Sequence, residues 1–121
     1  MIGPMKWPLA FAAVAEAATG AALLIVPSLV GELLLGQALT GMAIAVARVA
    51  GTALIALAVA CWQNSPLLGM LTYSVVVTLY LAYLGLADGF TGVLLWPAVA
   101  VHALLSILLS RLWISTEIRL K

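Results

Sequence analysis

The stretch from Gly41 to Trp62 constrains the fold of this chain more than any other part. It is apolar almost throughout and carries a single charged residue, Arg48. A transmembrane helix needs about 20 mostly apolar residues, so this stretch is long enough to cross a lipid bilayer. An arginine in hydrocarbon is costly and normally faces protein or water. We therefore predict a membrane-spanning helix whose Arg48 side chain turns toward a partner inside the protein.

The composition of the whole chain is also typical of a membrane protein. Hydrophobic residues make up 66% of the 121 positions and charged residues only 7%, whereas soluble domains carry about 25% charged residues. A net charge of +1 does not indicate the basic patch that nucleic acids require. A single cysteine, Cys61, and a lone histidine, His102, do not make a metal site. We expect one membrane domain, residues 1–121, whose main partner is the lipid bilayer, with no bound metal and no nucleic acid.

Proline, glycine and short polar turns divide the rest of the sequence into further apolar runs. The segment 28–36 is apolar but too short to cross a membrane, which predicts an interfacial half-helix or a re-entrant loop. The first residues are similar to a signal peptide, but the apolar run continues past the candidate cleavage site, so we expect an uncleaved first span. The predicted fold class is all-α, an integral membrane four-helix bundle. The predicted spans are 7–26, 41–62, 66–87 and 92–113, followed by a charged tail at 114–121.

Small residues recur every four positions in the first two spans, a spacing that lets helix backbones approach closely. We expect these rows to pack the spans against each other or against a partner protein. The rows are Ala13, Ala17 and Ala21 in the first span and Ala43, Ala47 and Gly51 in the second, with Glu16 and Gly20 on a neighbouring row of the first.

The basic residues predict the orientation in the membrane. Lys6 precedes the first span and Arg111, Arg119 and Lys121 follow or end the last, whereas the two loops on the other side contain no Lys or Arg. Cytoplasmic loops carry the excess of basic residues. We therefore expect both termini in the cytoplasm and a location in the inner membrane of a cell.

Each predicted span carries a polar side chain near the middle of the bilayer. A rise of about 1.5 Å per residue puts Glu16 and His102 at mid-depth, and Arg48 and Tyr80 about 5 Å from it. Because unpaired charge in hydrocarbon is expensive, we predict an ion pair between Glu16 and Arg48, with His102 and Tyr80 in the same hydrogen-bond network. The candidate ligand-binding residues of this polar centre are Glu16, Arg48, Thr52, Tyr73, Tyr80 and His102.

This polar centre has a structural and a functional interpretation. A buried pair can fix the arrangement of helices without any chemistry. Ionisable groups in a membrane are also candidates for function, here as a small-ligand site or a protonation switch at Glu16 or His102. The serines near His102 lie on its own helix, so no nucleophile and base stand together and we predict no catalytic residue. An enzyme that uses Glu16 and His102 as acid and base is the least favoured hypothesis.

Three features spread over the chain are similar to those of a known family. They are Glu16 followed by Pro27 and a Leu-rich stretch closed by Gly36, the sequence Arg48-Val-Ala-Gly51, and Trp96-Pro97 followed by His102. In this pattern the chain resembles small bacterial four-span membrane proteins of the DoxX-like kind, most of them uncharacterised. The resemblance covers nearly the whole chain and implies the fold and the membrane location. Some relatives are linked to quinone or thiol redox systems.

The dipeptide Ala15-Glu16 also resembles the lone glutamate in the first span of small multidrug-resistance transporters, which implies proton exchange for a lipophilic cation. An arginine paired with Glu16 would oppose reversible protonation. Our first hypothesis is a non-enzymatic membrane protein that binds a small lipophilic molecule such as a quinone, or is an accessory subunit of a membrane complex. A dimeric proton-coupled exporter is the alternative. The sequence identifies no cofactor.

Overall fold

The computed structural model of the chain describes residues 6–89 and 92–120. This part of the chain is helical, and no strand occurs among its residues, which confirms the all-α prediction. The helices are α1 (Lys6–Ile25), α2 (Pro27–Leu35), α3 (Met42–Gln63), α4 (Pro66–Leu86) and α5 (Leu95–Leu120).

Helices α1, α3, α4 and α5 are long and apolar enough to cross a membrane. The shortest of them, α1, has 20 residues, the length that crosses about 30 Å of hydrocarbon. Large apolar side chains are exposed on all four helices, as expected where lipid is the solvent. The chain is therefore a multi-pass membrane protein with four candidate spans, as the sequence predicts.

The last helix differs from its prediction at both ends. It begins at Leu95 instead of Gly92, so Pro97 lies in the first turn, where a missing N–H breaks no intrahelical hydrogen bond. It continues to Leu120, so the predicted tail at 114–121 is helical as far as it is described, and residue 121 lies outside the described residues. The reason is that no glycine or proline follows Pro97 to stop the helix.

Helix α2 is the short segment predicted between the first two spans. Pro27 is its first residue, where the fixed φ of proline suits a helix start. Gly36 ends it at φ 85°, a left-handed conformation that favours glycine. The Ser28 hydroxyl then donates to the Leu39 carbonyl at 2.6 Å. A Cβ at Gly31 would lie 2.7 Å from the backbone of the returning chain, so this turn folds closely over α2.

The chain forms two compact units, Met1–Pro66 and Leu67–Lys121. In the first unit α1 and α3 pack against each other, and α2 contacts both. In the second unit, Gly85 of α4 meets the start of α5, because a Cβ at Gly85 would lie 2.8 Å from side-chain atoms of Leu95 and Trp96. The described residues of α5 include no buried one.

Two glycines set the contact between α1 and α3. A Cβ at Gly20 would lie 2.6 Å from the carbonyl oxygen of Gly51, and a Cβ at Gly51 would lie 2.6 Å from that of Gly20. Neither position has room for a methyl group, because the atom in the way is a backbone carbonyl oxygen of the facing helix. Close approach at small residues is typical of membrane helices. We call this contact the glycine crossing.

Candidate functional site

Arg48 binds the end of α1. Its Nε donates a hydrogen bond to the carbonyl oxygen of Leu24 at 3.1 Å. Leu24 is next to the last residue of α1, and the last carbonyls of a helix lack an intrahelical donor. The guanidinium therefore satisfies one of these carbonyls and lies at the negative end of the helix dipole. The Arg48 side chain is half-buried by this contact.

The structure does not show the predicted ion pair between Glu16 and Arg48. Leu24, the partner of Arg48, lies about 12 Å along α1 from Glu16 at a rise of 1.5 Å per residue. Glu16 is half-buried and has no hydrogen bond or ion pair with any residue of the described ranges. The physical reason is register: the glycine crossing sets Arg48 opposite Leu24, whereas our depth calculation measured each span from its own ends.

The second unit brings together two of the predicted residues. The rings of Tyr73 on α4 and His102 on α5 meet edge to face, with centroids 5.8 Å apart and an interplanar angle of 79°. The Nδ1 atom of His102 is buried and has no hydrogen-bond partner in the described part of the chain. Tyr80 instead stacks on Tyr83, with ring centroids 6.4 Å apart. Glu16 and Arg48 belong to the first unit, so a single centre joining all these residues stays a prediction.

Thr52 is deeply buried, with 2% of its surface exposed. Its hydroxyl donates to the carbonyl oxygen of Arg48 at 3.1 Å, one turn earlier in α3. Thr72, Thr78 and Ser106 make the same bond to the residue four positions before them. These hydroxyls are satisfied within their own helices. The structure thus gives Thr52 a local role beside Arg48.

An apolar cleft of about 240 Å³ lies between α1 and α3, on the far side of the glycine crossing from Arg48. Alanines on both helices leave the space, and the polar groups of the wall belong to the last two residues of α3. None of the predicted polar-centre residues lines it. The lining residues are Ala13, Val14 and Ala17 of α1 and Ile55, Ala58, Val59, Trp62 and Gln63 of α3.

Glu16 is not among the residues that line this cleft. At about 100° per residue, Glu16 lies about 60° around α1 from Ala13 and about 100° from Ala17, which do line it. The cleft is not predicted from charged residues, because none of them lines it. The available signal was the pair Ala13 and Ala17, one turn apart in α1, together with Ala58 shortly before the Trp62-Gln63 end of α3.

Comparisons with protein-family models, with curated proteins and with solved structures found no match to this chain.

Proposed function

We propose that this multi-pass membrane protein binds a small lipophilic molecule in the cleft between α1 and α3 and catalyses no reaction. The observation that carries the proposal is the lining of the cleft, apolar except for an indole and an amide at one end. Small-molecule sites are mostly apolar, with few polar groups that fix orientation. A molecule with an apolar body and a polar end fits this lining.

The Trp62 indole and the Gln63 amide define the orientation of the ligand in the cleft. Trp62 and Gln63 end α3, and tryptophan is enriched where membrane meets water. The carbonyl of a ligand would accept from the Gln63 amide there, and its apolar body would extend toward Ala17 and Ile55. A quinone has this chemistry. The cleft is smaller than the 300 Å³ or so at which drug-sized sites begin, so a compact ring suits it.

Tryptophan fluorescence tests this proposal. We would change Trp7, Trp96 and Trp113 to Phe, leaving Trp62 as the reporter, and add decylubiquinone to the protein in detergent. We expect saturable quenching. Ala17→Leu fills the cleft and should weaken binding about tenfold, or about 1.4 kcal/mol. The control Ala18→Leu, on an exposed position of α1, should bind like the parent. Quenching that does not saturate, or equal binding by both variants, would contradict the proposal.

A second candidate function is proton-coupled export through Glu16. It is favoured because Glu16, half-buried within α1, has no partner among the described residues, while Arg48 bonds to the Leu24 carbonyl. The arginine that the sequence pairs with Glu16 is therefore bound elsewhere. Glu16→Gln should then abolish proton release on binding of tetraphenylphosphonium, whereas the control Glu32→Gln, on exposed α2, should retain it. Proton release by the Glu16→Gln variant would exclude this function.

The location, the family and the partners are proposals as well. We propose the inner membrane of a bacterium, with both termini in the cytoplasm, on the charge asymmetry described above. The DoxX-like resemblance and the accessory-subunit hypothesis rest on sequence pattern. If the accessory-subunit hypothesis is right, gentle solubilisation should recover a stoichiometric partner protein or a homodimer. A clean monomer would count against this hypothesis.

A further inference from the structure

Most of the hydrogen-bonding capacity of Arg48 is unused among the residues that the structure describes. A guanidinium has five N–H donors, and only the Nε donor of Arg48 is bonded within the described ranges, to Leu24. The terminal nitrogens are not among the buried unsatisfied atoms, which are Ser74 Oγ and His102 Nδ1. The terminal donors of Arg48 are therefore open to a ligand.

The first unit supplies no anion for this cation. Its acidic residues are Glu16 and Glu32, and neither forms an ion pair with Arg48 within the described chain. Glu16 is two turns away along α1, and Glu32 is exposed on α2. An unneutralised guanidinium within a membrane-spanning helix is costly. A partner from outside the first unit would lower this cost.

Arg48 reaches the membrane face at which α1 ends. Side chains of a helix tilt toward its N-terminus, so Arg48 extends toward the start of α3 at Met42. Its contact with Leu24 puts the guanidinium within about 1.5 Å of rise from Ile25, the last residue of α1. Long cationic side chains reach the interface in this way. With α1 crossing the bilayer over its full length of 20 residues, the guanidinium lies near the level of the lipid headgroups.

We propose that Arg48 binds the phosphate of a membrane phospholipid at this face. The planar guanidinium fork matches the paired oxygens of a phosphate, and phosphates are the anions that a bilayer offers at headgroup level. The surroundings suit a lipid, because Leu33, Leu34 and Leu35 of the adjoining α2 are 73–80% exposed. One lipid would give its headgroup to Arg48 and its acyl chains to these leucines.

Solid-state NMR tests the contact without changing Arg48. In an Arg111→Gln/Arg119→Gln background, Arg48 is the single arginine. With its guanidinium nitrogens isotope-labelled, we expect their signal to be dephased by lipid phosphorus in phosphatidylglycerol bilayers. Absence of dephasing would overturn the proposal. The control uses bilayers of a phosphate-free galactolipid with added inorganic phosphate. Equal dephasing there would show that Arg48 binds free phosphate, and would overturn the assignment to a lipid.

The dependence of protein stability on lipid provides a second test of the contact between Arg48 and a phospholipid. Phosphatidylglycerol should raise the unfolding midpoint of the native chain in detergent more than the galactolipid does. We expect Arg48→Gln to lose this increment and Arg48→Lys to retain part of it, with the exposed Arg119→Gln as the control that keeps all of it. An Arg48→Gln variant with the full increment would overturn the proposal. If Arg48→Gln does not fold, a full increment in Arg48→Met, which keeps a long side chain without the charge, would do the same.

Discussion

At the scale of the residue, the glycine crossing depends on the absence of two methyl groups. Each Cβ would meet a carbonyl oxygen of the other helix at 2.6 Å, and backbone cannot rotate away as a flexible side chain can. Helical propensity favours alanine over glycine by about 1 kcal/mol, so the crossing keeps glycine against that preference.

We expect Gly20→Ala to destabilise the protein by about 1–3 kcal/mol, the usual effect of overpacking. Gly92→Ala is the matched control, because a Cβ there would meet nothing within 4 Å. Unfolding in detergent followed by circular dichroism measures both. A Gly20→Ala variant as stable as the control would mean that α1 and α3 do not cross at these residues.

Arg48 and Glu16 should act independently of each other. Arg48→Gln loses the bond to Leu24, and hydrogen bonds to charged groups contribute about 1.5–3 kcal/mol. Glu16→Gln removes no partner within the described ranges, so we expect little effect on stability. In a double-mutant cycle the two effects should add to within about 0.5 kcal/mol. A larger coupling energy between the two residues would instead support the ion pair that the structure does not show.

At the scale of the element, α2 is held by its ends. Pro27 starts it, Gly36 stops it, and Ser28 ties the returning chain to its first turn. The exposed leucines of α2 contribute little packing within the described part of the chain. This short helix therefore depends mainly on these few contacts and on lipid.

Ser28→Ala should therefore lower stability by about 0.5–1.5 kcal/mol, the net contribution of one hydrogen bond. It should also increase amide hydrogen exchange between 28 and 40. The control Ser115→Ala removes an exposed hydroxyl of α5 and should change neither property. Unchanged exchange in the Ser28→Ala variant would contradict the role given to this bond.

The ends of α1, α3 and α4 were predictable from the sequence, whereas the ends of α5 and the register between elements were not. Prolines and polar turns mark the ends of α1, α3 and α4 to within one or two residues. The closest contact between α1 and α3 is made by Gly20. Gly20 is not part of the alanine row predicted to pack α1, but lies on the neighbouring row. The depth of a residue, counted from the ends of its own span, does not give the axial offset between two packed helices. For this reason the predicted partner of Arg48 was Glu16, whereas the observed partner is Leu24.

At the scale of the whole molecule, the distribution of charge determines the expected orientation. Arg111 and Arg119 lie within the last ten residues of α5, and the loops of the opposite side have no basic residue. A fluorescent protein fused after Lys121 should be fluorescent, and alkaline phosphatase fused there should be inactive. The same phosphatase inserted in the loop after Gly36 should be active. The reverse pattern would invert the proposed topology.

The glycine crossing lies between the Arg48 contact and the apolar cleft of the same helix pair. On one side of it Arg48 holds the last turn of α1, and on the other side the cleft opens toward Trp62. A crossing with no spare space makes Gly20 and Gly51 a fulcrum, since tilting the helices apart at one end brings them together at the other. If both proposals hold, a molecule that widens the cleft would bring Leu24 and Arg48 closer together and so change the contact of Arg48 with its lipid headgroup.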